Sequence, residues 1–506
     1  MRVAERRELE LKLELTRDEL GRVRAHPALP DLTVGTPVTR TLRAIYFDTP
    51  DHRLHASGIS FRVHSEGSGW RQRVERIARG TGRGRMGGDV AVERPEPDVS
   101  AIVGKAVRKQ VAKVVARSVL APVFETVVQR TTQRLHAAEG ELELALDEGV
   151  MRAGEREDAV IEAELELKSG SPLTLLETAA KLFANGPVRL ADSSKAERGY
   201  TLARRRSNGA AATRHTVLPA LRGEQTCGEA LRLIVRAAGD QIVANRRALL
   251  ETEDPTAAHQ LRIGLRRLRS ALRAFRPLHD ATELRELEGH ARALGRCVGE
   301  LRDADVLIEE IYAPVADTVD EEGGMARVRE VLLAHRVEAR ARVREGLSGG
   351  LWSALQLYLA LWPHTLEHAD RLGGSLVRFA PSAIKRQWKK VADRGARLGA
   401  LTIEERHEMR KALKGLRYTC EFFLSLYPEH KANQFLKEIR GLQEVFGYLN
   451  DVVAAQRLGA ICRSDGQEAQ RAAAYILGWH SAQASHAWKR AHKGWRKLER
   501  LAHVWE

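Results

Sequence analysis

Two hydrophobic periodicities divide this chain into two parts. Through about residue 203, apolar and charged residues alternate with a period of two, which predicts β-strands with one apolar and one charged face. The segments at 8–15 and 161–168 both show this alternation. Further strands are predicted at 61–65 and 141–149, separated by turn signals such as DTPD at 48–51.

From about residue 220 the apolar residues recur every three or four positions, which predicts helices to the end of the chain. This part is duplicated. HQLRIGLRRLRSALRAF at 259–275 aligns with HEMRKALKGLRYTCEFF at 407–423 at an offset of 148 residues. LGRCVGELRDADVL at 294–307 aligns with LQEVFGYLNDVVAA at 442–455 at the same offset, so two similar four-helix bundles are predicted.

The predicted fold class is therefore α+β in two parts. A β-sheet domain is predicted at 1–203, a linker at 204–218 and an all-α domain at 219–506. The linker prediction rests on ARRRSNGAAATRH at 203–215, which shows neither periodicity. Within the helical domain, repeat 1 is expected at about 219–365 and repeat 2 at about 366–506.

Charge adds a constraint on partners. The 506-residue chain has 82 Lys and Arg against 67 Asp and Glu, giving a net charge of +15 and a pI of about 9.8. Such a balance favours an anionic partner, and charge alone leaves open nucleic acid, a membrane surface and a phosphate polymer.

Cysteine usage and hydropathy bear on location. The four cysteines form no CxxC pair, so reduced, buried thiols and a cytoplasmic location are expected. The most apolar run, GLWSALQLYLALW at 350–362, is too short to span a bilayer, and no membrane partner is expected.

The predicted strands bring carboxylates and cationic side chains to the same face. Such a face suits a sheet curled around a polar interior, where clustered carboxylates need a divalent cation to offset their repulsion. Hard oxygen ligands favour Mg²⁺ or Mn²⁺, and neighbouring Arg and Lys side chains would hold phosphate oxygens. The alternative is a set of charged strand faces that are simply solvated.

Six motifs in the first part occur in an order that resembles the CYTH superfamily, the triphosphate tunnel metalloenzymes. They are ELELK (8–12), IYFDTPDHRL (45–54), PVFETVVQRTT (122–132), ELALDEG (143–149), IEAELELKSG (161–170) and SKAERGY (194–200). The resemblance implies an eight-stranded antiparallel barrel with flanking helices. It also implies a tunnel that binds triphosphate and Mg²⁺- or Mn²⁺-dependent cleavage.

The resemblance also implies roles for individual residues. The metal ligands would be Glu8, Glu10, Glu143 and Asp147. The catalytic residues would be Lys12, Glu162 and Glu164. The substrate-binding residues would be Arg62, His64, Arg73, Arg94, Arg130 and Lys195. Two positions depart from the family pattern, since His64 replaces a second arginine and Glu75 replaces a lysine.

The duplicated helices carry a basic stripe. His259, Arg262, Arg266 and Arg269 lie at i, i+3, i+7 and i+10, which is one helical face. The three arginines have no acidic residue three or four positions away, unlike an ordinary solvated helix, which is the alternative interpretation. The stripe therefore predicts a surface for a polyanion.

This second part resembles a CHAD domain over roughly 219–500, which implies a basic groove that binds inorganic polyphosphate. The residues implicated in repeat 1 are His259, Arg262, Arg266, Arg269 and Arg273. Those in repeat 2 are His407, Arg410, Lys414 and Arg417. Gly415 and Glu421 stand where repeat 1 has Arg267 and Arg273, so binding is expected to be weighted towards repeat 1.

The sequence therefore predicts metal-dependent hydrolysis of inorganic triphosphate, coupled to polyphosphate binding, in the cytoplasm and in association with polyphosphate granules. One alternative is a catalytically weak or inactive scaffold that localises to polyphosphate. Another is a nucleic-acid-binding protein, since Trp488, Trp495 and Trp505 alternate with basic residues near the C-terminus. Core packing of these tryptophans would produce the same pattern.

Overall fold

The computed structural model describes residues 9–67, 69–76, 84–85, 88–137, 139–183, 189–190, 194–204, 213–317, 323–364, 366 and 370–502. The predicted metal ligand Glu8, most of the predicted linker and Trp505 lie outside the described residues. The chain divides into two compact units. The first comprises 1–209 together with 352–365, and the second comprises 210–351 and 366–506.

An antiparallel β-sheet forms the frame of the first unit. Its strands are β1 (Leu9–Glu14), β2 (Thr33–Asp48), β3 (Ile59–Ser65), β4 (Trp70–Arg76), β5 (Gly84–Arg85), β6 (Val90–Val92), β7 (Ala121–Ala137), β8 (Gly140–Ala153), β9 (Arg156–Ser169) and β10 (Arg189–Leu190). Eight of them have three or more residues, which agrees with the predicted strand number.

The strand order is β10-β1-β9-β8-β7-β2-β3-β4-β5, with β6 also paired to β4. Among the described residues, the edge strands β10 and β5 are not paired with each other. Closure of the sheet into a barrel therefore stays a prediction.

Helices flank this sheet on both faces, and the last of them packs on the face that carries the charged residues. They are α1 (Arg17–Arg24), α2 (Leu29–Leu32), α3 (Arg53–Ala56), α4 (Lys105–Val115), α5 (Pro172–Phe183) and α6 (Lys195–Arg204). The alternating leucines of β1, β8 and β9 pack with α5 in one core, where Leu13, Leu144 and Leu165 are fully buried. Leu357 of the segment 352–365 belongs to the same core. Because successive strand side chains point to opposite faces, the charged residues of these strands lie on the other face.

Asp48 ties the end of β2 to two helices. Its buried carboxylate accepts hydrogen bonds from the backbone amides of Thr49 (2.7 Å), Leu54 (2.8 Å) and His55 (3.0 Å). The hydroxyl of Tyr200 on α6 donates to the same carboxylate at 2.9 Å. Two of the family motifs, IYFDTPDHRL and SKAERGY, thus meet in a structural contact that anchors α6.

Gly199 sets the distance between α6 and the sheet. A Cβ atom at this position would lie 2.0 Å from the Phe124 ring of β7, so only glycine allows this approach. Lys195 and Arg198 are on the same helix and are positioned by it.

The second unit is helical throughout its described secondary structure, apart from one isolated bridge between Thr226 and Ser375. The α-helices from residue 210 onward are α7 (Cys227–Glu251), α8 (Pro255–Phe275), α9 (Thr282–Val306), α10 (Gly324–Ser348), α11 (Gly350–Leu361), α12 (Leu376–Gly395), α13 (Ile403–Phe423), α14 (Glu429–Ala455), α15 (Leu458–Ile461) and α16 (Gly466–Arg500). Of these, α11 belongs largely to the first unit. A π-helical turn at Leu307–Tyr312 follows α9.

The predicted duplication is present in the helix bounds. Adding 148 to the bounds of α8 gives those of α13, and the same offset places α7 on α12, α9 on α14 and α10 within α16. The four helices of each repeat pack in chain order, and α8 also contacts α13. The α+β fold class with a duplicated helical part is confirmed.

Candidate functional site

On the charged face of the sheet, residues of four strands lie in register. Lys12 of β1 lies opposite Glu164 of β9, and Glu162 of β9 lies opposite Asp147 of β8. Arg130 of β7 lies opposite Asp147 on the other side. With Lys195 from α6 these residues form what we call the inner cluster: Lys12, Arg130, Asp147, Glu162, Glu164 and Lys195.

Two lysines connect the three carboxylates of the inner cluster. Lys12 Nζ lies 2.7 Å from Glu162 Oε2 and 3.0 Å from Glu164 Oε1. Lys195 Nζ lies 2.7 Å from Asp147 Oδ2 and 2.6 Å from Glu162 Oε2. Both lysines are mostly buried, so these contacts are poorly screened by water.

Arg130 completes the inner cluster from the side of β7. Its Nε and Nη2 atoms each donate to one oxygen of Asp147 at 2.7 Å, and Nη2 also donates to Glu164 Oε2 at 2.8 Å. This bidentate geometry is the one in which an arginine binds a carboxylate or a phosphate most strongly. Three cations thus offset three carboxylates.

The carboxylates remain ionised in this setting. Burial alone would raise the pKa of Asp147, but hydrogen bonding from Arg130 and the charge of Lys195 lower it below its ordinary value. Burial likewise opposes ionisation of Glu162, and the charges of Lys195 and Lys12 reverse that effect and lower its pKa.

The donor set of the inner cluster fits a divalent metal ion. Asp147, Glu162 and Glu164 each offer one carboxylate oxygen, and these three atoms lie within 4.8 Å of one another. Hard oxygen donors of this kind are the ligands that Mg²⁺ and Mn²⁺ prefer. Of the four metal ligands predicted from the sequence, Asp147 is the one in this group.

Two other predicted metal ligands lie in a second acidic row. Glu10 of β1 and Glu143 of β8 both lie opposite Glu166 of β9. Lys168 Nζ lies 3.2 Å from Glu143 Oε1 and 2.9 Å from Glu166 Oε2. This row is two residues along β1 from Lys12, which corresponds to about 7 Å.

Strands β3 and β4 carry a separate charged group. Arg62 and Arg73 lie opposite each other in register, and the carboxylate of Glu75 lies 3.6 Å from both guanidinium groups. His64 Nε2 lies 3.6 Å from Asp89 Oδ2. Burial and the charge of Arg62 lower the pKa of His64, although Asp89 opposes this shift.

One predicted site residue lies outside these groups, and one residue that contacts the inner cluster was not predicted from the sequence. The predicted substrate ligand Arg94 is exposed just beyond β6. Arg198 was not predicted, yet its Nη1 donates to Glu162 Oε1 at 3.2 Å and its Nη2 contacts Asp158 at 3.2 Å. The signal was available, because Arg198 lies three positions after Lys195 and so shares its helical face.

The basic stripes of the second unit form one cationic region where α8 packs against α13. Arg262 Nη1 donates to Gly299 O at 3.0 Å and lies 3.3 Å from Asp303 Oδ1. Arg410, its counterpart in repeat 2, lies 4.0 Å from Asp451, the counterpart of Asp303. Among the described ion pairs, Arg266, Arg269 and Lys414 have no carboxylate partner.

The cations of this region repel one another strongly. Burial, followed by the charges of Arg266, Arg410 and Arg262, lowers the pKa of Lys414 to about 5. Burial, followed by Arg302 and Arg266, lowers the pKa of His259 to about 4. This lowered pKa favours the neutral form of the Lys414 amine at pH 7 in the free protein.

Three predicted polyphosphate ligands contact protein side chains in the free protein. Arg273 Nη2 lies 2.7 Å from the buried Glu288. Arg417 Nε lies 3.6 Å from the buried Glu421. His407 Nδ1 lies 3.0 Å from Asn450 Oδ1.

Comparison with known protein families identifies both units. A family model for the CYTH domain matches residues 6–200, and a model for the CHAD domain matches residues 233–460. The chain therefore joins a CYTH domain to a CHAD domain, which confirms both resemblances predicted from the sequence.

Solved structures show corresponding similarities. The CHAD domain from the plant Ricinus communis is 28% identical with a TM-score of 0.50, over 56% of this chain and 96% of that one. PptA from Streptomyces chartreusis is 14% identical with a TM-score of 0.43, over 54% of this chain and 100% of that one. A putative adenylyl cyclase from Hippeastrum, described as having a dominant triphosphatase activity, is 18% identical with a TM-score of 0.29, over 38% and 95%.

No helix among the described residues combines the length and the hydropathy needed to cross a bilayer.

Proposed function

We propose that the first unit hydrolyses inorganic triphosphate in the presence of Mg²⁺ or Mn²⁺. The observation that supports this most directly is the inner cluster, in which three buried carboxylates are balanced by three cations. A purely structural network would not need carboxylate oxygens within 4.8 Å of one another on the polar face of a sheet. Metal plus basic clamp is the arrangement that phosphoryl transfer requires.

The cations of the inner cluster would bind the substrate. Lys12, Arg130 and Lys195 are held by carboxylates in the free protein, and phosphate oxygens of triphosphate would replace part of those contacts. Asp147, Glu162 and Glu164 would hold the metal ion, which supplies Lewis acidity and neutralises charge on the phosphate chain. Glu164 is the least buried of the three carboxylates, so we assign it to orient the attacking water and accept its proton.

The charged group on β3 and β4 offers a way to distinguish the proposed enzyme from an inactive scaffold. Glu75 offsets one of the two positive charges of Arg62 and Arg73, where a lysine would have added a third, so substrate contacts there are expected to be weaker than in the family pattern. We propose that the inner cluster alone sustains turnover. Replacing Glu75 with Gln should lower the KM for tripolyphosphate, and an inactive scaffold would show no turnover with either protein.

Phosphate release from a panel of phosphate chains tests the proposed activity. Purified protein incubated with tripolyphosphate and Mg²⁺ or Mn²⁺ should release phosphate, and EDTA should stop the reaction. Pyrophosphate and long-chain polyphosphate define the chain-length preference. Absence of release from every chain with either metal would support the scaffold instead.

We further propose that the second unit binds inorganic polyphosphate, and that this binding localises the protein to polyphosphate granules in the cytoplasm. The supporting observation is the close approach of Arg262, Arg266 and Arg410, whose charges also disfavour protonation of Lys414 and would be offset by a bound polyanion. Binding of nucleic acid is the competing function. Long-chain polyphosphate should displace RNA or DNA far more readily than the reverse, because its phosphates are linked directly, without sugars and bases between them.

The tryptophans and the basic residues near them can be explained without binding of nucleic acid. Trp495 is buried and stacks on Trp388 at 5.7 Å, and Arg406 lies over the ring of Trp488 at 4.3 Å. These rings are engaged within the helical unit, which favours the core-packing explanation for them.

A further inference from the structure

A pocket opens between α8 and α9 in the first repeat. Its volume is about 340 Å³, at the lower end of the range for small-molecule pockets. Leu265 and Ala291 contribute apolar surface, Gly295 leaves space on the α9 side, and Gly299 lies against the guanidinium group of Arg262. Five arginines line it: Arg262, Arg266, Arg269, Arg292 and Arg296.

The charges of this pocket do not balance. Glu300 and Asp303 also line it, so its side chains sum to three positive charges when all are ionised. Arg262 is paired with Asp303 and Arg292 with Glu288, but Arg266, Arg269 and Arg296 have no carboxylate partner among the described ion pairs. The Nε atom of Arg269 is buried without a hydrogen-bond partner. An anion with several acceptor oxygens would satisfy these donors.

The second repeat carries different residues at three positions that correspond to the lining of this pocket. At the offset of 148, Gln443 replaces Gly295 and Ile439 replaces Ala291, which fills space. Glu444 replaces Arg296, which reverses a charge. Residues of both α8 and α13 form the basic region, whereas the residues that line this pocket all belong to the first repeat.

This asymmetry separates two kinds of phosphate recognition. Groups within a phosphate chain carry one negative charge and continue in two directions. A terminal group carries nearly two charges near pH 7, because its second pKa is about 6, and it continues in one direction. The pocket is compact, has an excess of three positive charges and lies beside the basic region shared by both repeats. It therefore matches the end of a phosphate chain better than the middle.

We propose that the pocket between α8 and α9 binds the terminal phosphate of a phosphate chain whose remainder lies along the basic region of the second unit. This inference rests on the proposed polyphosphate binding and adds end-group recognition to it. A phosphate monoester on another molecule presents the same dianionic group and would compete for the pocket.

End-capped polyphosphate provides the test. Medium-chain polyphosphate with both ends converted to alkyl phosphoramidates keeps one negative charge on every phosphate and loses its terminal dianions. Full-length protein should bind the uncapped polymer about tenfold more tightly than the capped one, a difference of about 1.4 kcal/mol. The double variant Arg292→Gln, Arg296→Gln changes two pocket residues outside the basic stripes and should bind both polymers with the affinity that the unmodified protein shows for the capped one.

A matched double variant controls for charge. Arg285→Gln with Arg329→Gln removes two exposed arginines from α9 and α10 away from the pocket, and should keep the preference for free ends. Retained binding of capped polymer by the pocket variant shows that it is folded.

Three results would overturn the inference, and they are distinguishable. Equal affinity of the unmodified protein for capped and uncapped polymer contradicts end recognition but leaves polyphosphate binding intact. Preference for free ends that survives in the pocket variant places the end group elsewhere. Absence of binding to either polymer contradicts the proposed polyphosphate function itself. Competition by an alkyl phosphate monoester, lost in the pocket variant, would show that other phosphate ends are also accepted.

Discussion

Arg267 of α8 donates from Nη2 to Glu421 Oε2 of α13 at 2.8 Å, which joins the two repeats through a nearly buried ion pair. Arg417 and Arg440 also contact Glu421, at 3.6 and 3.4 Å. Glu421 and Gly415 were the departures that weighted the predicted binding surface towards repeat 1. The structure gives Glu421 a specific role, because it holds the arginine of the other repeat where the stripes meet.

This relationship predicts a large stability effect for a single substitution. Glu421→Gln would leave three guanidinium groups around an uncharged buried side chain, and we expect a loss of about 3 kcal/mol in the free energy of unfolding. Urea unfolding followed by circular dichroism measures it. Glu408→Gln, on the exposed side of the same helix and paired with Lys411, should change stability by less than about 1 kcal/mol. Equal effects of the two substitutions would contradict the buried clamp.

A second stability prediction concerns the contact between Tyr200 and Asp48. Tyr200→Phe removes one donor to a buried carboxylate, and a hydrogen bond to a charged group contributes about 1.5–3 kcal/mol. Protection of α6 amides in hydrogen exchange should fall by a corresponding factor, and Lys195 and Arg198 should become less ordered. Thr201→Ala, which removes an exposed hydroxyl one residue further along α6, serves as the control. Unchanged protection in Tyr200→Phe would mean that α6 is anchored elsewhere.

The inner cluster predicts a specific acid sensitivity. The folded-state pKa values of Asp147 and Glu162 are lowered, so the stability they contribute is present above the ordinary pKa values of 3.8 and 4.5. That contribution is lost as the pH falls below those values towards the lowered ones. The protection factors of β8 and β9 amides in hydrogen exchange should fall through this interval. The variant Asp147→Asn should flatten the dependence, and an identical pH profile would argue against the lowered pKa values.

Polyphosphate binding should be coupled to proton uptake. The amine of Lys414 faces Arg262, Arg266 and Arg410, with Asp451 as the nearby acid, and its pKa of about 5 leaves it neutral at pH 7. A bound polyanion favours the charged form, so binding takes up protons and weakens as the pH rises above about 5 and through the higher pKa of the amine in the complex.

Calorimetry in two buffers of different ionisation enthalpy counts these protons. Titrations of polyphosphate in HEPES and in Tris at pH 7.5 should give different observed enthalpies. Lys414→Gln should reduce the number of protons taken up. A residual uptake can come from His259, whose pKa of about 4 lies further from the working pH and contributes less. Equal enthalpies in both buffers for the unmodified protein would refute the coupling.

Local patterns predicted much of this protein because they depend on neighbouring residues. The alternation in β1 predicted both the buried leucines and the charged face, since a strand has a period of two. The offset of 148 predicted α13 from α8 because both helices use the same apolar spacing. Family motifs predicted which residues of the inner cluster would matter.

The pairing of those residues could not be read from the sequence. Lys195 reaches Asp147 across 48 positions, and the strand register decides that Glu10 and Glu143 lie in a second row beside Lys168. Likewise, the loss of charge on Lys414 depends on how α8 packs against α13. A stripe of cations on one helix indicates an anion site, but its protonation is set by burial and by the facing helix.

The rate of tripolyphosphate hydrolysis by Glu164→Gln tests the central claim most directly. This change keeps the size of the side chain and removes its charge from the inner cluster. We predict a loss of at least about 100-fold in kcat with Mg²⁺ or Mn²⁺, as expected for removal of one charge-stabilising group. Glu157→Gln, on the exposed part of the same strand, should retain the full rate. Unchanged kcat in Glu164→Gln would contradict the assignment of hydrolysis to the inner cluster.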